Sequence, residues 1–148
     1  MFAVSLPVAA QAGWGVDASL GKGAQVKPDA KASPTNVMVA PGYGIVLLRL
    51  QLGLVANMGD VEGSKFNIGF RPMVTISPPI LPLYARLILA IDNPTDSDLR
   101  TVSYGGAVGL SVGLAGVAIF AEAGLLPRNK FDEYRWVVEG RLGVSLGF

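Results

Sequence analysis

Seven charged residues stand inside otherwise apolar stretches of the sequence, and their side chains could support ion pairing or acid–base chemistry. They are five arginines and two glutamates: Arg49, Arg71, Arg86, Glu122, Arg135, Glu139 and Arg141. Opposite charges confined among apolar groups must pair, because a buried unpaired charge is very costly. The two glutamates would also suit acid–base chemistry on a glycosidic bond. The arginines would neutralise both carboxylates, so ion pairing is the better account.

Other residue types that carry catalysis are missing. Histidine and cysteine are both absent, which removes the commonest general base and metal ligand and excludes disulfides and thiolate metal sites. No serine has a plausible base beside it. The glycine-rich run 105–116 is not followed by the Lys-Ser/Thr of a phosphate-binding loop. The sequence therefore predicts no enzymatic activity, no metal and no cofactor.

Composition indicates a membrane protein of one domain. The chain has 148 residues, enough for a single domain. Hydrophobic residues make up 51% of it, and the mean hydropathy of +0.46 is high for a soluble domain of this size. The net charge of +1 gives no support for a nucleic-acid partner.

A membrane-spanning helix is the rival interpretation of residues 101–121, which carry no charge and are long enough to cross a bilayer. Five of these 21 residues are glycine, which disfavours a helix interior. Charges also interrupt the other apolar runs, and a lipid-exposed helix tolerates few of those.

Alternation of apolar and polar residues with a period of two explains why charges occur inside the apolar runs. In residues 83–92, Leu83, Leu87 and Leu89 share one face, and Arg86 and Asp92 share the other. The same separation holds in 44–56, 65–76, 101–112, 117–126 and 135–148. This pattern is typical of barrel strands with one face toward lipid and the other toward the lumen.

The 12 basic and 11 acidic residues indicate which face points outward. Ten of them fall on the polar faces: Arg49, Lys65, Arg71, Arg86, Arg135 and Arg141 against Asp17, Asp92, Glu122 and Glu139. The others lie in segments 22–31, 60–62, 96–100 and 128–133, which leaves none for the apolar faces. A soluble barrel would show the reverse, so the apolar faces are predicted to meet lipid.

The connections between strands alternate between charged and short. Loops are predicted near 22–35, 57–64, 93–100 and 127–133, and turns at the sequences VAPG (39–42), SPPILP (77–82) and GLAG (113–116). Long loops are extracellular and short turns periplasmic in bacterial barrels. We therefore predict an all-β, eight-stranded antiparallel up-and-down transmembrane β-barrel with both termini periplasmic. The limits of the second strand, near Thr35–Val39, are the least defined. If residues 36–56 formed one long strand, the count of eight strands would be wrong.

An eight-stranded barrel has an interior just wide enough to be filled by side chains. The inward charges therefore predict a structural plug of salt bridges. The alternative is a gated path that opens when ion pairs exchange partners. The inward Gly105, Ala107 and Gly109 would leave space for it on one wall.

The N-terminus allows two interpretations. Residues 1–12 end in Ala-Gln-Ala, as the last part of a signal peptide does. Their alternation of apolar residues equally suits the start of the first strand. Residues 13–148 are predicted to form the single barrel domain.

Aromatic residues mark the predicted strand ends. Trp14, Tyr134 and Trp136 lie where barrels carry interfacial aromatic girdles.

The start AQA/GWG, the alternating strands and the final strand RWVVEGRLGVSLGF resemble small bacterial outer-membrane barrels of the OmpA-membrane-domain, OmpX and OmpW type. The resemblance implies an outer-membrane location, contact with membrane lipid and a role for the terminal Phe148 in the signal read by the barrel-assembly machinery. We expect a monomer with no nucleic-acid partner. Its function would be a structural or surface-interaction role, or alternatively that of a narrow channel for ions or small solutes, hydrophobic ones included.

Overall fold

The structure is a computed structural model that describes residues 12–27, 30–32, 35–61, 64–79, 81–98, 100–130 and 133–148. At residues 27, 31–32, 59–61, 64–65, 128–130 and 133–135 it describes the backbone alone. Residues 1–11, which carry most of the possible signal remnant, lie outside the described residues. That interpretation therefore stays a prediction.

Eight long antiparallel strands form one closed sheet. They are β1 (Gly13–Lys27), β2 (Thr35–Ile45), β3 (Leu48–Val61), β4 (Ser64–Ile76), β5 (Leu83–Asp92), β6 (Thr101–Leu114), β7 (Val117–Lys130) and β8 (Glu133–Gly147). Each strand pairs with the next, and β1 also pairs with β8. The two-residue strand Lys31–Ala32 pairs with the end of β1. The predicted eight-stranded up-and-down barrel is confirmed.

No helix within the described residues is long and apolar enough to cross a membrane. The uncharged run 101–121 forms β6, a turn and the first part of β7 rather than a helix.

The strands are staggered around the barrel. A path that starts at Trp14 on β1 and passes through the directly opposed residue of each successive strand returns to β1 at Ala24, ten residues further along the sequence. Its steps are Trp14, Tyr43, Leu50, Val74, Leu87, Gly106, Leu125, Val138 and Ala24. Closure with such a stagger requires tilted strands. We call the end of the barrel with the short turns the turn side and the end with the charged loops the loop side. A row of opposed residues, followed from β1 toward β8, therefore rises from the turn side toward the loop side.

Burial follows the predicted alternation of the strands. In β5 every residue from Leu83 to Leu89 at an odd position is exposed, and every residue from Tyr84 to Asp92 at an even position is buried. Most outward side chains of the other strands are similarly apolar and at least partly exposed, whereas most inward polar residues are buried. The wall thus presents an apolar outer surface around a polar interior, the arrangement expected of a barrel that faces lipid.

The predicted turn at VAPG is wrong. Residues 39–42 lie within β2, and the chain instead turns at Val46–Leu47. No glycine, proline or asparagine marks this turn, and Val46 has a φ of 43°, which β-branched residues rarely adopt. Alternation over 44–56 predicts Gly44 on the outward face with Leu48 and Leu50. The new turn position corrects this, because Gly44 is buried and faces inward. The turns near 77–82 and 115–116 lie where they were predicted.

Three of the four predicted loops are shorter than expected. Strand β1 continues to Lys27, and the β3–β4 and β7–β8 connections are confined to residues 62–63 and 131–132. Only the 93–100 connection has its predicted length. Backbone pairing continues beyond the apolar faces because a strand needs no apolar side chains to keep its ladder of hydrogen bonds.

Among the described side chains, one charge lies on the outer wall, contrary to the prediction that none would. The sequence predicts Lys22 in a loop, but it lies within β1 between the outward-facing Leu20 and Ala24 and is exposed. The longer β1 strand is the reason for this correction.

Arginine substitutions will test the orientation of the wall. Leu87, near mid-height and 63% exposed, and Leu114, beside the turn at 115–116 and 68% exposed, both point outward. Leu87→Arg should destabilise the folded barrel by about 2–4 kcal/mol and Leu114→Arg by about 0–1 kcal/mol, because the cost of a charge falls from the bilayer midplane to the interface. Denaturant unfolding in lipid vesicles measures both, and equal costs would contradict the assigned depth.

Candidate functional site

A continuous chain of oppositely charged side chains runs through the lumen. Each consecutive pair is within salt-bridge distance, and the charges alternate in the order Arg49, Asp17, Arg86, Glu122, Arg141, Glu139 and Arg71. All seven side chains are buried. The chain begins near the turn side, at the second residue of β3, and climbs toward the loop side.

Asp17 on β1 is the first acid of this ion-pair chain. Its Oδ1 lies 3.0 Å from Nη1 of Arg49 and accepts a 2.6 Å hydrogen bond from Ser145 Oγ. Its Oδ2 accepts hydrogen bonds from Gln51 Nε2 at 2.7 Å and from Arg86 Nη2 at 3.1 Å. Four donors from three different strands therefore satisfy this carboxylate.

Glu122 on β7 links the two halves of the ion-pair chain. Its Oε2 lies 2.9 Å from Nη1 of Arg86 and accepts a 2.8 Å hydrogen bond from Tyr84 Oη. Its Oε1 lies 3.5 Å from Nε of Arg141. The Arg86 guanidinium also lies 5.2 Å from the ring centroid of Tyr84 and 5.7 Å from that of Phe120, so aromatic faces stabilise the cation as well.

Glu139 on β8 is the third acid of the chain. Arg71 donates to both of its carboxylate oxygens, at 2.7 and 3.3 Å, a two-point geometry that fixes both side chains. Arg141 contacts the same carboxylate and also donates to Ser19 Oγ at 3.0 Å. Asn36 donates to Glu139 at 3.1 Å and accepts from Arg141 at 2.6 Å.

The buried charges balance within the described side chains. They comprise four arginines and four acids: Arg49, Arg71, Arg86, Arg141, Asp17, Asp92, Glu122 and Glu139. Asp92, outside the ion-pair chain, lies 3.4 Å from the amide nitrogen of Asn57. Because the net charge of these eight side chains is zero, the free-energy cost of burying them is limited.

The space predicted beside Gly105, Ala107 and Gly109 is filled, which corrects that expectation. Tyr84 lies directly opposite Gly109, and a Cβ atom at Gly109 would come within 2.5 Å of the Tyr84 hydroxyl oxygen. Phe120 covers Gly143 in the same way, where an added Cβ would lie 2.5 Å from Cζ of the ring. The inward glycines therefore accommodate large side chains from the neighbouring strand.

Apolar side chains fill another part of the lumen. They come from β2 to β7 and form one buried cluster: Met38, Ala40, Val55, Met73, Ile88, Ala107 and Leu126. Apolar side chains offer no hydrogen bonds to water, so this part of the interior favours a dry lumen.

The structure brings together six of the seven predicted lumen residues. The side chain of the seventh, Arg135, lies outside the described side chains. Sequence reasoning did not single out Tyr84 or Asn36. The even position of Tyr84 in β5 would have placed it inward, whereas Asn36 lay in the strand whose limits were least defined.

Aromatic side chains gather at the turn side of the wall. Trp14 is exposed and makes an edge-to-face contact with Tyr43, with 5.3 Å between the ring centroids. Phe148 is exposed beside them, and its backbone N–H donates to the Trp14 carbonyl at 2.8 Å. Trp136 lies toward the loop side and is half-buried. The side chain of Tyr134 lies outside the described side chains.

Two solved structures have a similar fold. Neisserial surface protein A matches with a TM-score of 0.67 and 17% identity, over 91% of this chain and 97% of that one. The N-terminal β-barrel domain of Pseudomonas aeruginosa OprF matches with a TM-score of 0.58 and 16% identity, over 92% of this chain and 100% of that one. The chain therefore has the fold of the small outer-membrane barrels, as the resemblance in its sequence implied.

Comparisons of the amino-acid sequence with known sequences identify no related protein. No protein-family model matches the chain, and no curated protein matches it.

Removing the charge of Asp17 will test the ion-pair chain. Asp17→Asn keeps the shape of the side chain but leaves Arg49 with no carboxylate among its described neighbours. Breaking a buried ion pair costs about 3–5 kcal/mol, and we expect a loss of that size in denaturant unfolding. The control Asp98→Asn changes an exposed acid between β5 and β6 and should stay within about 0.5 kcal/mol. Equal losses of stability in the two variants would contradict the role of Asp17 in the ion-pair chain.

Proposed function

We propose that the protein is an integral outer-membrane barrel whose lumen is closed by ion pairs, and that it serves a structural or surface-interaction role. The observation that carries the proposal is the ion-pair chain from Arg49 to Arg71, whose members are all buried. An ion that crossed the lumen would have to separate these pairs. The cluster of apolar side chains beside the chain favours the same closed state.

The outer wall supports the membrane location. Exposed leucine, valine and isoleucine side chains surround the barrel, and Trp14, Tyr43 and Phe148 lie at its turn side. Apolar bands with aromatic edges are the hallmark of barrels that span the outer membrane. By the usual polarity of such barrels, the short turns and both described strand ends, at Gly13 and Phe148, would face the periplasm.

The proposed partners follow from the same orientation. Membrane lipid would surround the wall, and the exposed Phe148 would be available to the barrel-assembly machinery. The protein would act as a monomer, without catalysis and without a nucleic-acid partner. The connection at residues 93–100, with exposed Asp96, Asp98 and Arg100, would be available to molecules at the cell surface.

The membrane proposal predicts a characteristic behaviour in detergent. The protein should be insoluble without detergent, show a β-rich circular-dichroism spectrum in micelles and migrate differently in gel electrophoresis before and after boiling. The apolar wall is the reason, because it needs detergent or lipid to cover it. A soluble monomer, or a helical spectrum in micelles, would contradict the proposal.

The closed lumen predicts the electrical behaviour of the barrel. Refolded protein in planar bilayers should show no stable conductance. Glu122→Ala divides the ion-pair chain in two and should lower the stability by about 3–5 kcal/mol, yet the barrel should remain non-conducting because side chains still fill its lumen. Glu62→Ala, which changes an acid outside the described residues in a predicted loop, is the control.

One observation favours a gated channel as a second candidate. Arg141 contacts both Glu122 and Glu139, so a small movement could exchange its partner without leaving the cation unpaired. Water could then solvate the separated charges. A stable Glu122→Ala barrel with raised conductance would favour the channel over the closed barrel.

A further inference from the structure

Lys22 is the one outward-facing cation among the described strand side chains, and its position is unusual for a lipid-facing wall. It is exposed on β1 between Leu20 and Ala24. No acidic side chain that the structure describes lies within salt-bridge distance of it. An ionisable residue on a membrane-facing surface is costly, so it points to a function.

The height of Lys22 places its ammonium group near the outer edge of the apolar band. It lies eight residues beyond Trp14 on β1, which corresponds to roughly 20 Å along the barrel axis for a strand tilted by about 40°. The band of such barrels is about 25 Å tall. A lysine side chain can extend over the remaining distance to the lipid headgroups.

A shallow apolar groove leads up to Lys22 on the outer wall. Two rows of directly opposed residues form it: Val108, Ala123, Gly140 and Lys22, and below them Leu110, Ala121, Leu142 and Leu20. Alanine and glycine form the floor of the groove, and the larger leucine and valine side chains form its sides. The groove is open along its outer side and has a volume of about 810 Å³.

The direction of the groove matches the shape of a lipid. Because rows of opposed residues climb toward the loop side, the groove rises from Val108 on β6 to Lys22 on β1. Thr35 also lines the end of the groove beside Lys22 and adds a hydroxyl group there. An apolar groove that ends in a cation and a hydroxyl group complements an acyl chain that ends in an anionic phosphate group.

We infer that this groove binds an anionic, phosphate-bearing lipid of the surrounding leaflet, with an acyl chain on Ala121, Ala123 and Gly140 and its phosphate at Lys22. The inference rests on the proposed membrane location. It assigns the outer wall a specific lipid site, separate from the lumen.

Native mass spectrometry of the folded barrel tests the site. The protein is equilibrated in mixed micelles with equal amounts of phosphatidylglycerol and phosphatidylcholine of the same chain length, and the retained lipid is identified. Wild-type protein should retain phosphatidylglycerol preferentially. Lys22→Gln should lower that preference roughly fivefold, the factor expected for one lysine near anionic lipid, and Lys22→Arg should keep it.

A second pair of variants tests the groove itself. Ala123→Leu fills the floor and should reduce retention of both lipids. The control Ala56→Leu adds the same volume to an outward position on β3, opposite Ile68 and outside the groove, and should retain lipid as the wild type does. Equal loss in both variants would overturn the site.

Three outcomes separate the possible failures. Equal retention of the two lipids by the wild type, or an unchanged preference in Lys22→Gln, overturns the assignment of the phosphate to Lys22. Displacement of phosphatidylglycerol by millimolar inorganic phosphate overturns the lipid and indicates a site for free phosphate. Each sample is first checked for heat-modifiable migration, so a chain that does not fold in detergent contradicts the membrane proposal rather than the lipid site.

Discussion

The need to pair every charge inside a narrow lumen governs the rest of this structure. An eight-stranded barrel leaves little space for water around an inward guanidinium, so each of Arg49, Arg71, Arg86 and Arg141 must find a carboxylate on another strand or on its own. The alternating chain meets this need because each acid within it serves two arginines. Inward glycines leave room for the guanidinium groups, and hydroxyl groups accept hydrogen bonds from Arg49, Arg86 and Arg141.

The stagger of the sheet determines which residues can meet. A shift of ten residues around the barrel brings Arg71 on β4 to Glu139 on β8, 68 residues away in sequence. It also places a row of small side chains obliquely across the outer wall. The same geometric constraint therefore organises the charged interior and the apolar groove that ends at Lys22.

Alternation made the faces of most strands predictable, because burial depends on parity alone. It could not reveal the turn at Val46–Leu47, since neither residue is a typical turn former and the two adjacent strands differ in phase. It also could not reveal that Tyr84 would fill the space above Gly109 or that Arg141 would bridge two acids. Those contacts depend on the stagger between strands, which a single sequence does not contain.

The distribution of the ion pairs has a consequence for assembly. Asp17 belongs to the first strand and pairs with arginines of β3 and β5, whereas Glu139 belongs to the last strand and pairs with Arg71 of β4. An isolated hairpin of neighbouring strands contains few of these partners, so its charges would stay hydrated and oppose entry into lipid. The ion-pair chain is complete only when β8 meets β1. Closure of the barrel would therefore lower the cost of moving these charges into the membrane.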